Sequence, residues 1–336
     1  MRIIFNMMNC GLGLNGGSQT VVLSANTLSR LGHEVYIIDS GRHKYTWDVI
    51  EVPHIIVRKN SDIPDSDAII ATGYGTVKST IELPTRTGNK YIWIRGWELW
   101  KMSEKKIVSK ILNTPLIKLV NSVGLQRKLA SYDIKSQIIR PGNDFKNFRV
   151  LNKRQNNELI RLGGLYHKNH KTKNTDWIIK AIEILHSENK NISINLFGTD
   201  KFSPKKYFYD KYYQQPNKRE KEKIYNHTDI WLSPTNLEGL HIVPQEAMLT
   251  ECPVVGTLAP LSGMQDFLYH TVTGLVANIN FESFLNNIRK LIYNKDLRRK
   301  LGIAARIEIL ELGSREDNMI KLVKFMEEQC LNLITK

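Results

Sequence analysis

Trp231-Leu-Ser-Pro-Thr-Asn-Leu-Glu238-Gly239-Leu-His241-Ile-Val-Pro244-Gln-Glu246-Ala-Met-Leu-Thr-Glu-Cys-Pro253-Val-Val255-Gly256 decides the fold. Ile230, Trp231 and Leu232 form an apolar strand that runs through a Pro/Asn/Gly loop into a helix and out to a second strand at Pro253-Val-Val. Strand, loop, helix and strand make the βαβ unit of a parallel sheet, and ligands of such sheets sit at the carboxyl ends of the strands. Glu238 stands at the strand exit, and Glu246 falls eight residues later inside a helix whose first turn Pro244 can open. The backbone N–H groups from about Gly239 to Val243, including Leu240, His241 and Ile242, then face outward at a helix start, where an anion is favoured. Two carboxylates flanking an oxyanion cradle suit a hydroxyl-rich ligand that carries phosphate.

The remainder of the chain alternates short apolar runs with helical periodicity. Arg2-Ile-Ile-Phe-Asn-Met reads as a first buried strand, and Cys10-Gly11-Leu-Gly13-Leu-Asn-Gly16-Gly17-Ser18-Gln19 as a Gly-rich turn into a helix ending at Gly32. Such a turn lets backbone N–H groups approach a phosphate, although glycines also serve plain tight turns. The Gly-x-Gly-x-x-Gly dinucleotide spacing is not met. Further strands are expected at 34–39, 55–57, 68–71, 90–94, 116–120, 159–162 and 192–198, with helices over 284–301 and 319–334.

Several segments resemble the retaining glycosyltransferases of family 4. Their pattern Glu-Gly-aromatic-Gly-Leu-Pro-x-x-Glu-Ala followed by Gly-x-Pro-Val-Val is similar to Glu238-Gly239 through Glu246-Ala247-Met248 and Pro253-Val254-Val255. Gly16-Gly17-Ser-Gln, Pro141-Gly142-Asn143-Asp144, Lys173-Asn174-Thr-Asp-Trp-Ile-Ile and Thr273-Gly274-Leu-Val276 resemble other landmarks of that family. The chain departs from it at Arg95, where His is usual, at Gly164, where Arg is usual, and at Asp266, where Glu is usual.

The resemblance implies an α/β chain of the GT-B fold, with two Rossmann-like parallel-sheet domains facing each other across a cleft. Residues 1–147 would form an N-terminal acceptor-side domain, 148–157 a linker and 158–314 a C-terminal nucleotide-sugar donor domain. Residues 315–336 would be a helix packing back on the first domain. It further implies a metal-independent, retaining transfer of a hexose-like sugar from a nucleoside-diphosphate-sugar to a glycan, lipid-linked or other hydroxyl acceptor. Glu238, Lys173 and Arg95 are the expected catalytic residues. Gly16, Gly17, Gly164, Lys171, Gly239, Leu240, His241, Ile242 and Glu246 are expected to bind the donor, with Glu246 on the ribose. The donor is a substrate, and no cofactor or metal is expected. His167 and His170 lack the Cys or acidic companions of a metal set.

Composition bounds the rest. A chain of 336 residues, 41% hydrophobic and 24% charged, can bury two cores. Cys10, Cys252 and Cys330 are too scattered for a disulfide framework. With no apolar run of 18 residues and no signal-peptide pattern, a soluble cytosolic protein is expected. A net charge of +15 implies anionic partners: nucleotide-sugar phosphates, acidic headgroups or nucleic acid. Trp97 to Lys118 reads as a core helix with a solvated lysine face, the alternative being an interfacial helix touching the anionic inner face of a membrane. Lys and Tyr interleave over 199–225, a composition that fits a base-side loop better than a single-strand nucleic-acid platform. The other function class is a basic nucleic-acid-binding or membrane-docked protein on a catalytically degenerate scaffold of the same fold.

Overall fold

The computed structural model describes all residues except 42–44, 100–101, 152–158, 169–170, 189–190, 202–209, 260 and 335–336. Most of the expected linker, His170 and part of the 199–225 segment therefore lie outside the described residues. In chain order the first unit holds β1 (Arg2–Asn6), α1 (Gly16–Arg30), β2 (Glu34–Asp39), β3 (His54–Ile56), β4 (Ala68–Ala71), α2 (Val77–Ile81), β5 (Asn89–Ile94), α3 (Glu104–Ile107), β6 (Ile117–Val120), α4 (Val123–Ala130) and β7 (Gln137–Ile138). The second unit holds β8 (Ile160–Leu165), α5 (Thr175–Ser187), β9 (Ile192–Gly198), β10 (Lys211–Gln214), α6 (Lys218–Asn226), β11 (Ile230–Ser233), α7 (Ile242–Leu249), β12 (Val254–Thr257), β13 (Gly274–Ala277), α8 (Phe281–Tyr293) and α9 (Lys295–Glu311). The final helix, α10 (Arg315–Ile334), returns to the first unit.

Among the described residues each unit is built on one parallel sheet, in the orders β3-β2-β1-β4-β5-β6-β7 and β10-β9-β8-β11-β12-β13. The strands are nearly continuous apolar runs because helices cover both faces of such a sheet. In the first sheet Ile3 and Phe5 face a core shared with Val21, Val22 and Leu28 of α1, while Ile4 and Ile69 face the other side with Ile63 and Leu83. In the second, Leu162 and Ile194 pack on Ile178, Ile182 and Leu185 of α5, and Trp231 and Val254 pack on Ala247 and Met248 of α7. Both sheets reverse their order once. The reversal lies between β1 and β4 in the first unit and between β8 and β11 in the second. At such a switch point the two loops leaving the strands diverge to opposite faces and leave a crevice at the carboxyl ends.

The units run Met1–Gly142 with Gly313–Lys336, and Asn143–Leu312. The first boundary lies earlier than the residue 147 expected from sequence, because the segment around Phe148 belongs to the second core. The Phe148 ring meets Tyr225 edge-on at 5.7 Å, and the Arg149 N–H donates to Glu222 at 3.3 Å. Met319, Leu322 and Met326 of α10 are buried in one cluster with Phe5, Val22 and Leu28.

Three elements differ from the sequence reading. The helix expected over 284–301 is two helices: Asn294 is extended (φ −119°, ψ 91°) and its side chain caps α9 by accepting from the Leu297 N–H at 2.9 Å. No single helix spans Trp97 to Lys118. The short α3 runs into one π-helical turn, Val108–Leu112, that buries Ile107, Ile111 and Leu112 and leaves Lys105, Lys106 and Lys110 exposed. Trp97 is buried, stacked on Tyr132 at 6.4 Å with the Lys128 ammonium 5.2 Å from its ring, while Trp100 lies outside the described residues. β10 and α6 complete the region after β9. Their signals are the Asn217/Glu220 capping box and a Tyr pair too short to show a period.

Candidate active site

The switch point of the second sheet brings together two loops 65 residues apart in sequence. From β8 the chain passes Tyr166 and Lys168 to a 3-10 turn, Lys171–Lys173, ahead of α5. From β11 it passes Pro234 to His241 ahead of α7. Backbone and side-chain bonds stitch the two: the Asn236 N–H donates to the Thr172 carbonyl at 2.8 Å, and the Asn174 amide donates to the Pro234 carbonyl at 2.8 Å. Asn174 makes this reach from a left-handed backbone (φ 47°), which Asn tolerates better than most residues.

Lys173 and Glu238 meet at the centre of that seam, where the ammonium donates directly to the carboxylate. Their side chains are only 15% and 30% exposed, so the pair is held largely out of water rather than screened at the surface. Burial pulls the Lys173 ammonium down to about 8, from the usual range of a lysine. A carboxylate partner works the other way, so Lys173 remains a cation at neutral pH and becomes titratable in mild alkali. Lys171 opens the same turn.

Behind Glu238 the loop carries a run of backbone donors, called the cradle below. The N–H groups of Gly239, Leu240, His241, Ile242 and Val243 find no acceptor among the described residues. They are successive donors at the start of α7, where the helix dipole adds positive potential. The carbonyls on the other side of the loop are tied down: the Gln245 amide donates to the Leu240 carbonyl at 2.9 Å, and the Gly263 N–H donates to the Glu238 carbonyl at 2.9 Å. Gly263 is required there, since a Cβ on it would lie 2.3 Å from the Gly239 carbonyl oxygen.

His241 carries the one strained backbone in the cradle, at φ 60° and ψ 64°. Its imidazole is buried with Nε2 3.1 Å from the Ser233 hydroxyl. Burial, with the Lys173 charge nearby, holds it well below the ordinary histidine value, so the ring is neutral at pH 7. Glu246, one helical turn further into α7, accepts from the Tyr225 hydroxyl at 2.7 Å and faces the Lys221 ammonium at 3.4 Å. Tyr225 is buried and its hydroxyl is pushed well up by burial and by Glu246, so it stays a donor to that carboxylate.

Gly164 lies elsewhere in the same sheet. It sits inside β8, where a Cβ would meet Ile178 Cδ1 of α5 at 2.9 Å; its small size serves helix-on-strand packing. Glycine brings no side chain of its own to the place where Arg is usual in the family. Ser233, Tyr225 and Lys221 are parts of the site that sequence reasoning missed. Tyr225 had a signal in its spacing to the β11 strand, whereas Lys221 sits in a helix whose solvated lysines look alike in sequence.

The remaining expected residues gather in the first unit, at its own switch point. Gly16 and Gly17 open α1, with Asn15 capping it by accepting from the Ser18 N–H at 2.9 Å. Arg95 follows β5 and cross-braces the two switch-point loops, donating to the Gly17 carbonyl and, at 2.5 Å, to the Thr72 carbonyl. Burial pulls its guanidinium down to about 10, still fully cationic at neutral pH. Among the described residues no cluster of three or more His, Cys, Asp or Glu is placed to hold a metal ion.

Comparison with known proteins gives this geometry a lineage. Residues 156–294, which hold the whole Lys173–Glu238 seam, match the family model described as Glycosyl transferases group 1. The human alpha-1,3/1,6-mannosyltransferase is 30% identical over 110 residues, a stretch that is 32% of this chain and 26% of that protein, so the match spans about a quarter of the relative's length. A sucrose-phosphate synthase from Thermosynechococcus elongatus superimposes with a TM-score of 0.78 at 14% identity, covering 99% of this chain and 100% of that one. HepE of Anabaena, solved in complex with UDP and glucose, superimposes with a TM-score of 0.76 at 13% identity, covering 98% and 100%. The chain has the GT-B fold, and its residues 156–294 match the family described as Glycosyl transferases group 1.

Proposed function

We propose that the protein is a retaining glycosyltransferase that moves a sugar from a nucleoside-diphosphate-sugar to the hydroxyl of a glycan or lipid-linked acceptor without a metal ion. The observation that carries this reading is the juxtaposition of the Lys173–Glu238 pair with five N–H groups at the head of α7 that find no acceptor among the described residues. When the bond from the anomeric carbon to the diphosphate breaks, negative charge collects on the departing phosphate as positive charge builds on the sugar. A preorganised ammonium and helix-start donors oppose that negative charge with little reorganisation, the most effective form of electrostatic catalysis. The diphosphate competes with Glu238 for the Lys173 ammonium. Glu238 is then free to accept hydrogen bonds from hydroxyls of the transferred sugar, and Glu246, oriented by Tyr225, from the ribose.

Retention follows if the acceptor hydroxyl approaches on the face the diphosphate leaves, handing its proton to the departing phosphate oxygen. Lys173 and the cradle supply the neutralisation that a divalent cation gives elsewhere, so transfer should continue in excess EDTA. The net charge of +15 fits peripheral contact with an anionic membrane carrying a lipid-linked acceptor. No helix among the described residues is long and apolar enough to cross a membrane.

The test is a turnover assay with UDP-, GDP- and ADP-sugars, with and without hydroxyl acceptors, the anomeric configuration of the product being read by NMR. The reading expects transfer from at least one donor, with the configuration kept and no loss in EDTA. Inverted product, or no turnover and no binding of any nucleotide sugar, would refute it.

A further inference from the structure

His241 stands out in the cradle on three independent counts. It holds a left-handed backbone (φ 60°) without being glycine, Asn or Asp, a conformation that costs of order 1 kcal/mol. In the family pattern that the loop resembles, the corresponding place is glycine, which adopts it freely. Its side chain is 95% buried, at 5% relative exposure, and only one of its two ring nitrogens is used: Nε2 is 3.1 Å from the Ser233 hydroxyl, whereas buried Nδ1 finds no partner. A buried polar nitrogen left unpaired costs about 1–3 kcal/mol, so both the strain and the orphaned atom call for a compensating interaction. His241 is the N-cap residue of the eight-residue α7, within the run of N–H groups that find no acceptor among the described residues, and its ring is within electrostatic reach of Lys173.

We propose that His241 Nδ1 is a direct ligand of the donor's diphosphate, a side-chain contact added to the backbone cradle. It rests on the donor reading given above. The Ser233 hydroxyl donates to Nε2, which leaves the proton on Nδ1 as an N–H donor to a phosphate oxygen. Because the ring is neutral, it adds a hydrogen bond beside Lys173 without adding a second buried charge. That is how one seam can hold both groups: an imidazolium here would be repelled by the ammonium.

Two isosteric substitutions separate the two nitrogens. In His241→Asn the amide stands where Nδ1 stood, and Asn tolerates the left-handed backbone; in His241→Gln the amide stands where Nε2 stood and keeps the bond to Ser233. The probe is whichever of UDP, GDP and ADP binds the wild-type chain most tightly, titrated calorimetrically at pH 7. His241→Gln is expected to weaken binding at least tenfold and His241→Asn to recover it to within about threefold. His241→Gly, which removes the ring and relieves the strain, is expected to raise the unfolding temperature while also losing about tenfold in affinity. The inference is overturned if His241→Gln binds like the wild type, or if His241→Asn falls as far as His241→Gln. A wild-type chain that binds none of the three nucleotides would instead overturn the donor reading on which the inference stands.

Discussion

Lys173 is where the chemistry is most exposed to test. Its ammonium titrates near pH 8 because burial disfavours the charge, and only the cation can hold a departing phosphate. The sign follows directly: below pH 8 the free enzyme carries the proton and accepts the donor, and above it the proton is lost. kcat/KM, which reports groups of the free enzyme, should therefore fall tenfold per pH unit above about 8. In Lys173→Arg, whose guanidinium does not titrate in this range, that fall should disappear even if the rate is lower; a profile with the same alkaline limb in both proteins would show that another group is responsible. Lys173→Ala should lose about a hundredfold in kcat, corresponding to ~3 kcal/mol of transition-state stabilisation. Glu238 was legible in sequence because a Glu-Gly pair at a strand exit ahead of a helix is a recognisable arrangement. The bond between Glu238 and Lys173 was not, since nothing in a single chain says that residues 65 apart share a seam. The left-handed state of His241 was hidden too, because histidine gives no hint of it.

At the level of elements, the position of the α7 cradle depends on what packs behind it. A Cβ at Gly263 would lie 2.3 Å from the Gly239 carbonyl oxygen and 2.6 Å from Leu240 Cα, so the backbone that carries the N–H groups must shift. Gly263→Ala should weaken nucleoside-diphosphate binding at least tenfold, and calorimetric titration would show it. At Gly164 the nearest atom is the far end of Ile178, which can give. Gly164→Ala should lower stability by about 1 kcal/mol, within the range for small-to-large changes, with little effect on nucleotide affinity; a large loss of affinity without destabilisation would assign Gly164 to the site after all. Most strands were readable as apolar runs, since both faces of a parallel sheet are covered. The break at Asn294 was not, because the apolar spacing continues across it and the only signal is one capping side chain.

For the whole molecule, the order of the chain and the order of the cores differ. α10 belongs with the first 142 residues, where Met319, Leu322 and Met326 complete a core that includes β1 and α1. Leu322→Ala should cost about 2–5 kcal/mol and lower the thermal midpoint of the protein, despite its distance in sequence from every site residue. The two-domain parallel architecture was legible because the length allows two cores and the resemblance to family 4 implies a parallel sheet in each. The boundary near residue 142 was not, because Phe148 joins the second core through ring contacts that no local pattern announces. The claim that everything else depends on is that Lys173 and the head of α7 take up the charge of a diphosphate. The most direct measurement is the affinity of UDP, GDP and ADP for wild-type and Lys173→Ala protein, titrated at pH 7 in EDTA. At least one diphosphate should bind the wild type without metal and bind the variant ten or more times more weakly; equal affinity in the two proteins would contradict the account.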